Sequence, residues 1–323
     1  MPWWIFVVFG NLLLAVAVVF DKFLVSGPIE SPRRYAMLSA IVSIFGVFLI
    51  VPGFLGFGGE AFVFQAPTFG MIVFGLVQSA ATIAALFFLF SAFKQGEASR
   101  VAPVVGALNA IFTLAIALVF LQERASAVQF IGVGFSILGA LFLTLKAQTL
   151  RALHQYAQPA LFSGFLFAVA YVVLKALFNA TTFVTVMVVV AVGQFLVGLL
   201  MLLTTPHHEK KKGTIVQTEL LMPKRTFTLF VAKQAFASFG TLAITFSISL
   251  ANVSLVNATE GVKYAFLFCM VILLSIRFPH ILREDLAGSS LGAKIAGIVF
   301  VGMGLAFLAL PDPVDFVKRI FLL

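Results

Sequence analysis

The amino-acid sequence predicts an all-α integral membrane protein with ten transmembrane helices in two inverted five-helix repeats. Hydrophobic residues make up 62% of the 323 residues, whereas soluble chains average about 45–50%. Charged residues contribute only 10%, and the mean hydropathy is +1.13. The apolar residues form continuous runs of about 20, the length that a helix needs to cross a bilayer. The short alternating segments of a transmembrane β-barrel are not present in this pattern.

The first half of the chain contains five apolar runs, separated by short connections with charged residues, proline or glycine. Trp3 and Trp4 suit the membrane interface at the start of the first run, and we expect Asp21 and Lys22 to end it. This run lacks a basic n-region and a small-residue cleavage site, so it is interpreted as a retained span. The predicted spans of the first half cover residues 3–20, 35–55, 68–93, 101–121 and 128–145.

The second half has the same organisation. Residues 146–158 are polar and precede its first run, and a longer hydrophilic stretch, residues 205–226, separates its second and third runs. The predicted spans of this half cover residues 159–178, 183–204, 227–250, 258–278 and 291–310.

An internal repeat relates the two halves. Residues 99–106 align with residues 254–261, with coincident Ser, Val and Gly positions. Further along, the same seven-residue spacing separates a pair of glycines in each copy, which are Gly132 with Gly139 and Gly297 with Gly304. The chain therefore divides into a first five-helix repeat, residues 1–150, and a second, residues 151–323. Because five is odd, the second copy enters the membrane from the opposite side, and a substrate site is expected near the midplane between the halves.

Three motifs in the first repeat carry a family resemblance. They are Gly-Glu-Ala-Ser-Arg-Val-Ala-Pro at 96–103, Leu-Val-Phe-Leu-Gln-Glu-Arg at 118–124 and Gln-Phe-Ile-Gly-Val-Gly at 129–134. With Asp-Lys-Phe-Leu at 21–24, this copy resembles the repeat of EamA-type permeases of the drug/metabolite transporter superfamily. The second copy is more divergent and has Leu-Arg-Glu-Asp at 282–285. The resemblance implies ten helices and secondary transport of small metabolites or drugs.

Motifs for catalysis or metal binding are missing from the sequence. The four histidines stand apart from any zincin-type carboxylate pattern, and no glycine-rich phosphate loop follows a strand. The single cysteine, Cys269, excludes an internal disulfide and a multi-cysteine metal site. We therefore expect a protein that is not an enzyme and uses no cofactor.

The expected function is secondary transport of a small metabolite or drug-like solute by alternating access between the two repeats. Ion coupling and homodimer formation are left open. The alternatives are a membrane-embedded handler of lipid-linked intermediates and a membrane scaffold or binding protein that does not transport. The net charge of +9 is scattered over short connections, which favours anionic lipid headgroups over nucleic acid as its partner. The expected location is the cell (inner) membrane.

Ionisable residues inside the apolar runs are the first candidates for a binding site, because each needs a partner or a wet cavity. Glu260 and Lys263 are three residues apart and share a helix face, so they are predicted to form an ion pair. Lys233 aligns with Gln78 in the repeat, and both are candidate cavity-lining residues. Lys175 is a weaker candidate, since a lysine near a span end can also extend its ammonium to the interface.

Uncharged polar residues within the runs complete the predicted substrate site. Each of them is equally interpretable as a structural contact between helices, because polar side chains hydrogen-bond across helices in lipid. These candidates are Asn11, Asn109, Tyr171 and Tyr264. Lys294, within a turn of the start of its span, is expected at the interface.

The basic residues and the family resemblance predict opposite orientations. Most lysines and arginines outside the spans fall in odd-numbered connections, and the positive-inside rule then places both termini outside. The resemblance implies cytoplasmic termini. The orientation stays open at this point.

Overall fold

A computed structural model describes residues 3–29, 31–55, 59–120, 127–145, 150–204, 222–251, 253, 256, 260–277 and 288–309. Every regular element among these residues is helical. The α-helices are α1 (Trp3–Ser26), α2 (Pro32–Val42), α3 (Ile50–Phe54), α4 (Phe69–Gln95), α5 (Ala98–Phe120), α6 (Ala127–Leu145), α7 (Leu150–Ala180), α8 (Phe183–Leu203), α9 (Lys224–Leu250), α10 (Gly261–Arg277) and α11 (Gly288–Ala309). Short 3₁₀ segments cover Ser43–Leu49 and Gly59–Phe62.

Seven helical stretches among the described residues are long and apolar enough to cross a membrane. They are Ile5–Ser26, Pro32–Pro52, Phe69–Gln95, Ala98–Phe120, Tyr156–Ala180, Phe183–Leu203 and Lys224–Leu250. Shorter apolar helices over Phe130–Gly139, Gly261–Leu274 and Gly292–Gly304 lie where the fifth, ninth and tenth spans are predicted. The chain is therefore an integral, multi-pass membrane protein. The connections at 121–126 and 278–287, most of the hydrophilic stretch 205–226, and most of the aligned segment 254–261 lie outside the described residues.

Hydroxyl caps fix the start of three helices. Ser31, Thr68 and Thr182 each have extended backbone, and each side-chain oxygen accepts a hydrogen bond from the backbone N–H three residues later at 3.3–3.4 Å. Such caps satisfy N–H groups that the first turn of a helix leaves without partners. Pro32 follows Ser31 as the first residue of α2, a position that needs no N–H.

The first helix does not end at Asp21 and Lys22, as the sequence suggested, but continues to Ser26. Both charged side chains find partners inside the protein. Asp21 is paired with Lys233, and Lys22 donates to backbone carbonyl oxygens. A charge that is paired within the bundle does not need to leave the membrane, so the helix continues through it.

The helix of the predicted sixth span begins before the span does. α7 starts at Leu150 and contains Pro159, so the polar residues 150–158 belong to the helix. Tyr156 is buried there, and its Cγ lies 3.3 Å from where a β-carbon on Gly96 would be. This contact attaches the polar start of α7 to the end of α4.

Two antiparallel helix pairs pack closely in the bundle. In α1 and α9, Phe6 stacks edge-on against Phe246, and Phe20 stacks with Phe236. Between them, a β-carbon on Gly10 would lie only 2.9 Å from the Gly240 carbonyl oxygen, so the two backbones touch. Small residues allow this approach in membranes.

The second antiparallel pair consists of α4 and α7. The Ser163 hydroxyl donates to the Ala85 carbonyl oxygen at 3.0 Å. Nearby, the rings of Phe88 and Phe162 stack with centroids 5.2 Å apart. The contacts pair early residues of α7 with late residues of α4, which sets the two helices antiparallel.

Two lysines hydrogen-bond the carbonyl end of a neighbouring helix. Lys22, near the end of α1, donates to the carbonyl oxygens of Phe93 and Gly96 at the end of α4, the latter at 2.8 Å. Lys175, near the end of α7, donates to the carbonyl oxygens of Ile248 and Ala251 at the end of α9, at 3.0 and 2.9 Å. The last carbonyls of a helix lack partners within it, and a cation also suits the helix dipole there.

These contacts define two ends of the bundle. Face A is the end at which α1 and α4 finish and α9 begins. Face B is the opposite end, where α7 and α9 finish and α8 begins.

Candidate functional site

Glu260, Lys263 and Tyr264 meet at the start of α10. The Lys263 ammonium lies 3.2 Å from Glu260 Oε1, and the Tyr264 hydroxyl donates to Glu260 Oε2 at 2.8 Å. The ammonium also lies 5.1 Å from the centre of the Tyr264 ring. Glu260 and Tyr264 are buried. The predicted ion pair is therefore present, and we call Glu260 with Lys263 the intrahelical pair.

The intrahelical pair lies toward the middle of the bundle. A β-carbon on Gly106 of α5 would stand 1.4 Å from the Tyr264 hydroxyl oxygen, so only glycine leaves room for this ring. Gly106 is eight residues beyond the start of α5, or about 12 Å along a helix of about 33 Å. Tyr171 of α7, another predicted site residue, stacks on Phe167 of its own helix with ring centres 6.3 Å apart.

Lys233 belongs to a different cluster, at face A. Its ammonium lies 3.0 Å from Asp21 Oδ1 and 5.1 and 5.6 Å from the ring centres of Tyr35 and Phe90. The Tyr35 hydroxyl donates to the same Asp21 oxygen at 2.5 Å. All four side chains are buried. We call Asp21 with Lys233 the interhelical pair, because it joins α1 to α9.

The other predicted site residues are distributed along four helices. The Gln78 amide donates to Thr82 within α4 at 3.1 Å, and Asn109 accepts from the Thr113 hydroxyl within α5 at 3.3 Å. Asn11 is buried on α1. Lys175 bonds the end of α9, as described above. The structure thus gathers Glu260, Lys263 and Tyr264, and gives Gln78, Asn109 and Lys175 local or helix-end partners.

Lys294, which was expected at the membrane interface, is almost completely buried in the protein. Its ammonium lies 2.8 Å from Glu97 Oε2, and Arg100 Nε reaches the same oxygen at 2.8 Å. Glu97 stands between α4 and α5, and Lys294 is on α11, so this contact also joins distant parts of the chain at face A. A lysine near a helix start can stay inside when a carboxylate is within reach.

The pairing of Asp21 with Lys233 was not predicted, because Asp21 was expected at the end of the first span. One signal was present: the apolar residues Phe23, Leu24 and Val25 follow Asp21 and Lys22. A run that continues on both sides of a charge is typical of a charge inside a span. The partners of Asp21 lie 14 and 212 residues away, and no local spacing predicts them.

The two pairs offer different chemistry. The intrahelical pair presents both a carboxylate and an ammonium beside the Tyr264 hydroxyl, which suits recognition of a polar or charged small molecule. The interhelical pair is enclosed by aromatic rings and fixes two helices. Among the described residues, no three His, Cys, Asp or Glu side chains come together in a way that holds a metal ion.

Comparisons with known proteins support the fold alone. No protein-family model matches the chain, and no curated protein matches it. A solved structure described only as "Crystal structure of protein" is similar to it, with a TM-score of 0.58 and 18% sequence identity. The similarity covers 93% of this chain and 98% of that one. The chain therefore shares its overall helical architecture with a protein of nearly the same extent.

Proposed function

We propose that this protein is an EamA-type secondary transporter, with ten spans in two inverted repeats, residues 1–150 and 151–323. It moves a small metabolite or drug-like solute across the membrane by alternating access. One observation carries the proposal, namely a set of contacts that recurs in the two halves at shifts of 153 and 155 in residue number.

The recurrence is clearest in the two lysines that bond helix ends. Adding 155 to the acceptors of Lys22, residues 93 and 96, gives 248 and 251, the acceptors of Lys175. The residue numbers of the two donors, Lys22 and Lys175, differ by 153. The backbone caps follow the same shift: Gly96 N–H donates to the Ala92 carbonyl oxygen and Ala251 N–H to that of Ser247.

The close approaches within the two antiparallel helix pairs recur as well. Ser163 meets Ala85 between α7 and α4, and Gly10 meets Gly240 between α1 and α9. The residue numbers of Ser163 and Gly10 differ by 153, and those of Gly240 and Ala85 differ by 155. An inverted repeat accounts for this pattern. In such a repeat α1 of the first half corresponds to α7 of the second, and α4 corresponds to α9. Two halves related in this way have two equivalent arrangements that open to opposite sides.

We further propose that the intrahelical pair, Tyr264 and Tyr171 bind the substrate, with ion coupling as an optional part of the cycle. Their support is position and chemistry. They combine opposite charges and hydroxyl groups toward the middle of the bundle, where an unneeded charge is costly. Lys175 and Lys233 then hold helices around this site, and the buried residues Asn11, Asn109 and Gln78 are further candidate substrate contacts.

The test begins with purified wild-type protein and a thermal-shift screen against a panel of metabolites, since a ligand that binds only the folded state stabilises it. A stabilising compound is then offered in radiolabelled form to proteoliposomes. We expect accumulation by wild-type protein and its loss in Glu260→Gln and Lys263→Ala. Glu60→Gln is the matched control, because Glu60 is exposed outside the spans.

Three outcomes would contradict the proposal. If both site variants fold and transport like the wild type, the site assignment is wrong. If a compound binds but is never accumulated or released, the protein is a membrane binder rather than a transporter. Conversion of the compound to a product would indicate a handler of membrane-linked intermediates.

A further inference from the structure

Charged side chains join the two halves of the chain at face A. The interhelical pair joins α1 to α9, and Glu97 joins Lys294 of α11. In addition, the Arg33 guanidinium at the start of α2 donates to the Met201 carbonyl oxygen at 3.1 Å, at the end of α8. Each contact has one partner in residues 1–150 and the other in residues 151–323.

The halves meet differently at face B. Gln65 N–H donates to the Thr185 hydroxyl at 2.8 Å, and the Thr182 hydroxyl donates to the Val63 carbonyl oxygen at 2.8 Å. The ring contact of Phe6 with Phe246 lies toward the same face. These contacts are uncharged. The ion pairs that join the halves through Asp21 and Glu97 lie at face A.

The interhelical pair is a buried ion pair whose two partners are both held by neighbouring side chains. Its ammonium is held by a carboxylate oxygen and by the faces of Tyr35 and Phe90, an arrangement that binds ammonium groups by charge and by cation–π attraction. Tyr35 also orients the carboxylate through its hydroxyl. The four groups come from α1, α2, α4 and α9, so any separation of α1 from α9 at face A must break the pair.

We propose that the interhelical pair is a latch that closes face A, with the Glu97–Lys294 contact as its second point of attachment. This inference rests on the proposed alternating-access function and assigns the regulation of the same substrate site. While the latch is closed, the site can open only toward face B. Opening toward face A requires the pair to separate and become hydrated, and its re-formation closes that route.

The test measures access to a buried position beneath the latch. Ala17 is buried, and lies one helical turn before Asp21 on the same face of α1. In a background carrying Cys269→Ser, an Ala17→Cys reporter is labelled with a water-soluble maleimide in detergent micelles, where both faces are exposed. A separate Val7→Cys reporter, also at a buried position, probes α1 toward face B.

We expect Asp21→Asn and Lys233→Met to raise the labelling rate of the Ala17→Cys reporter at least about tenfold, which corresponds to a shift of about 1.4 kcal/mol in a two-state equilibrium. Labelling of the Val7→Cys reporter should not rise, because opening toward face A closes face B in alternating access. The control Lys224→Met removes a lysine at the exposed start of α9 and should leave both rates unchanged. If the first two variants do not fold, Tyr35→Phe should give a smaller increase at the same reporter.

Equal increases at both reporters would show general loosening of the fold and overturn the latch. Unchanged labelling in folded variants would overturn it as well. Neither result depends on a substrate. Failure of the proposed function is seen separately, as wild-type proteoliposomes that bind a compound but never transport it.

Discussion

The two buried ion pairs have nearly the same chemistry and different positions in the chain. Each joins a carboxylate to a lysine, with a tyrosine hydroxyl donating to the carboxylate and an aromatic ring beside the ammonium. In the interhelical pair the partners are 212 residues apart, whereas in the intrahelical pair they are three residues apart. The first pair holds two helices together. The second neutralises itself within one turn and does not hold a second helix.

This difference determines what each pair contributes to folding and to function. Breaking an interhelical pair leaves a buried charge and also releases a helix contact. Breaking the intrahelical pair leaves a carboxylate that still accepts from Tyr264 and lies at a helix start, where the dipole favours negative charge. The intrahelical pair is therefore the one that can exchange its internal partner for a ligand at low cost in stability.

The largest expected effect compares Lys233→Met with Lys263→Met. We expect Lys233→Met to lower the free energy of unfolding by about 3–5 kcal/mol, because it strands Asp21 inside the bundle. For Lys263→Met the loss should be about 1 kcal/mol, as the side chain is more exposed and the helix start compensates. Unfolding in mixed detergent micelles measures both values. Equal losses would mean that the two pairs do the same structural work.

The next comparison removes one hydroxyl from each cluster, in Tyr35→Phe and Tyr264→Phe. Both hydroxyls donate to a carboxylate, at 2.5 and 2.8 Å, and a hydrogen bond to a charged group contributes about 1.5–3 kcal/mol. We expect similar losses of stability from the two changes. Ligand affinity in a thermal-shift titration should fall only for Tyr264→Phe. A fall in affinity for Tyr35→Phe instead would place the substrate at the interhelical pair.

The sequence predicted one pair and missed the other for a physical reason. A spacing of three places two side chains on one helix face whatever the tertiary structure is, so Glu260 and Lys263 were predictable. The pairing of Asp21 depends on how α1 packs on α9, which no local pattern encodes. For the same reason no local pattern predicted the contact of Lys294 with Glu97.

The bounds of a helix were predictable where they follow from an apolar run in the sequence. They were less predictable where they depend on contacts with other parts of the protein. α8 covers 183–203 and was predicted as 183–204, because an uninterrupted apolar run must be helical to satisfy its backbone in a bilayer. The start of α7 was missed, since residues 150–158 are polar and gain their helical packing from Tyr156 against Gly96. Charge marks the end of a span only when it lacks a partner inside.

A glycine substitution tests how closely the intrahelical pair is fitted. In Gly106→Ala the new methyl group would overlap Tyr264, whose hydroxyl oxygen and Cζ lie 1.4 and 2.3 Å from its position. Moving the ring breaks its bond to Glu260, and we expect a loss of about 1–3 kcal/mol. Gly134→Ala is the control, since nothing lies within 4 Å of its β-carbon position. Because alanine has a higher helix propensity than glycine, Gly134→Ala should leave stability unchanged or raise it by up to about 1 kcal/mol.

If Gly106→Ala is as stable as Gly134→Ala, the ring of Tyr264 has free space around it and does not fix the carboxylate. Loss of ligand affinity together with stability would support a site whose geometry depends on this single close approach between α5 and α10.

The smallest expected effects are those of the two lysines that bond helix ends, and they test whether the halves are equivalent. Lys22→Met and Lys175→Met should each lower stability by about 1 kcal/mol, because the last carbonyls of α4 and α9 lose a cationic donor. Hydrogen exchange provides the sharper measurement. Protection of the Gly96 amide should fall in the first variant and that of Ala251 in the second, and each should stay unchanged in the other. A loss confined to one variant would mean that the recurring contacts do different work in the two halves, whereas matched local losses are what an inverted repeat requires.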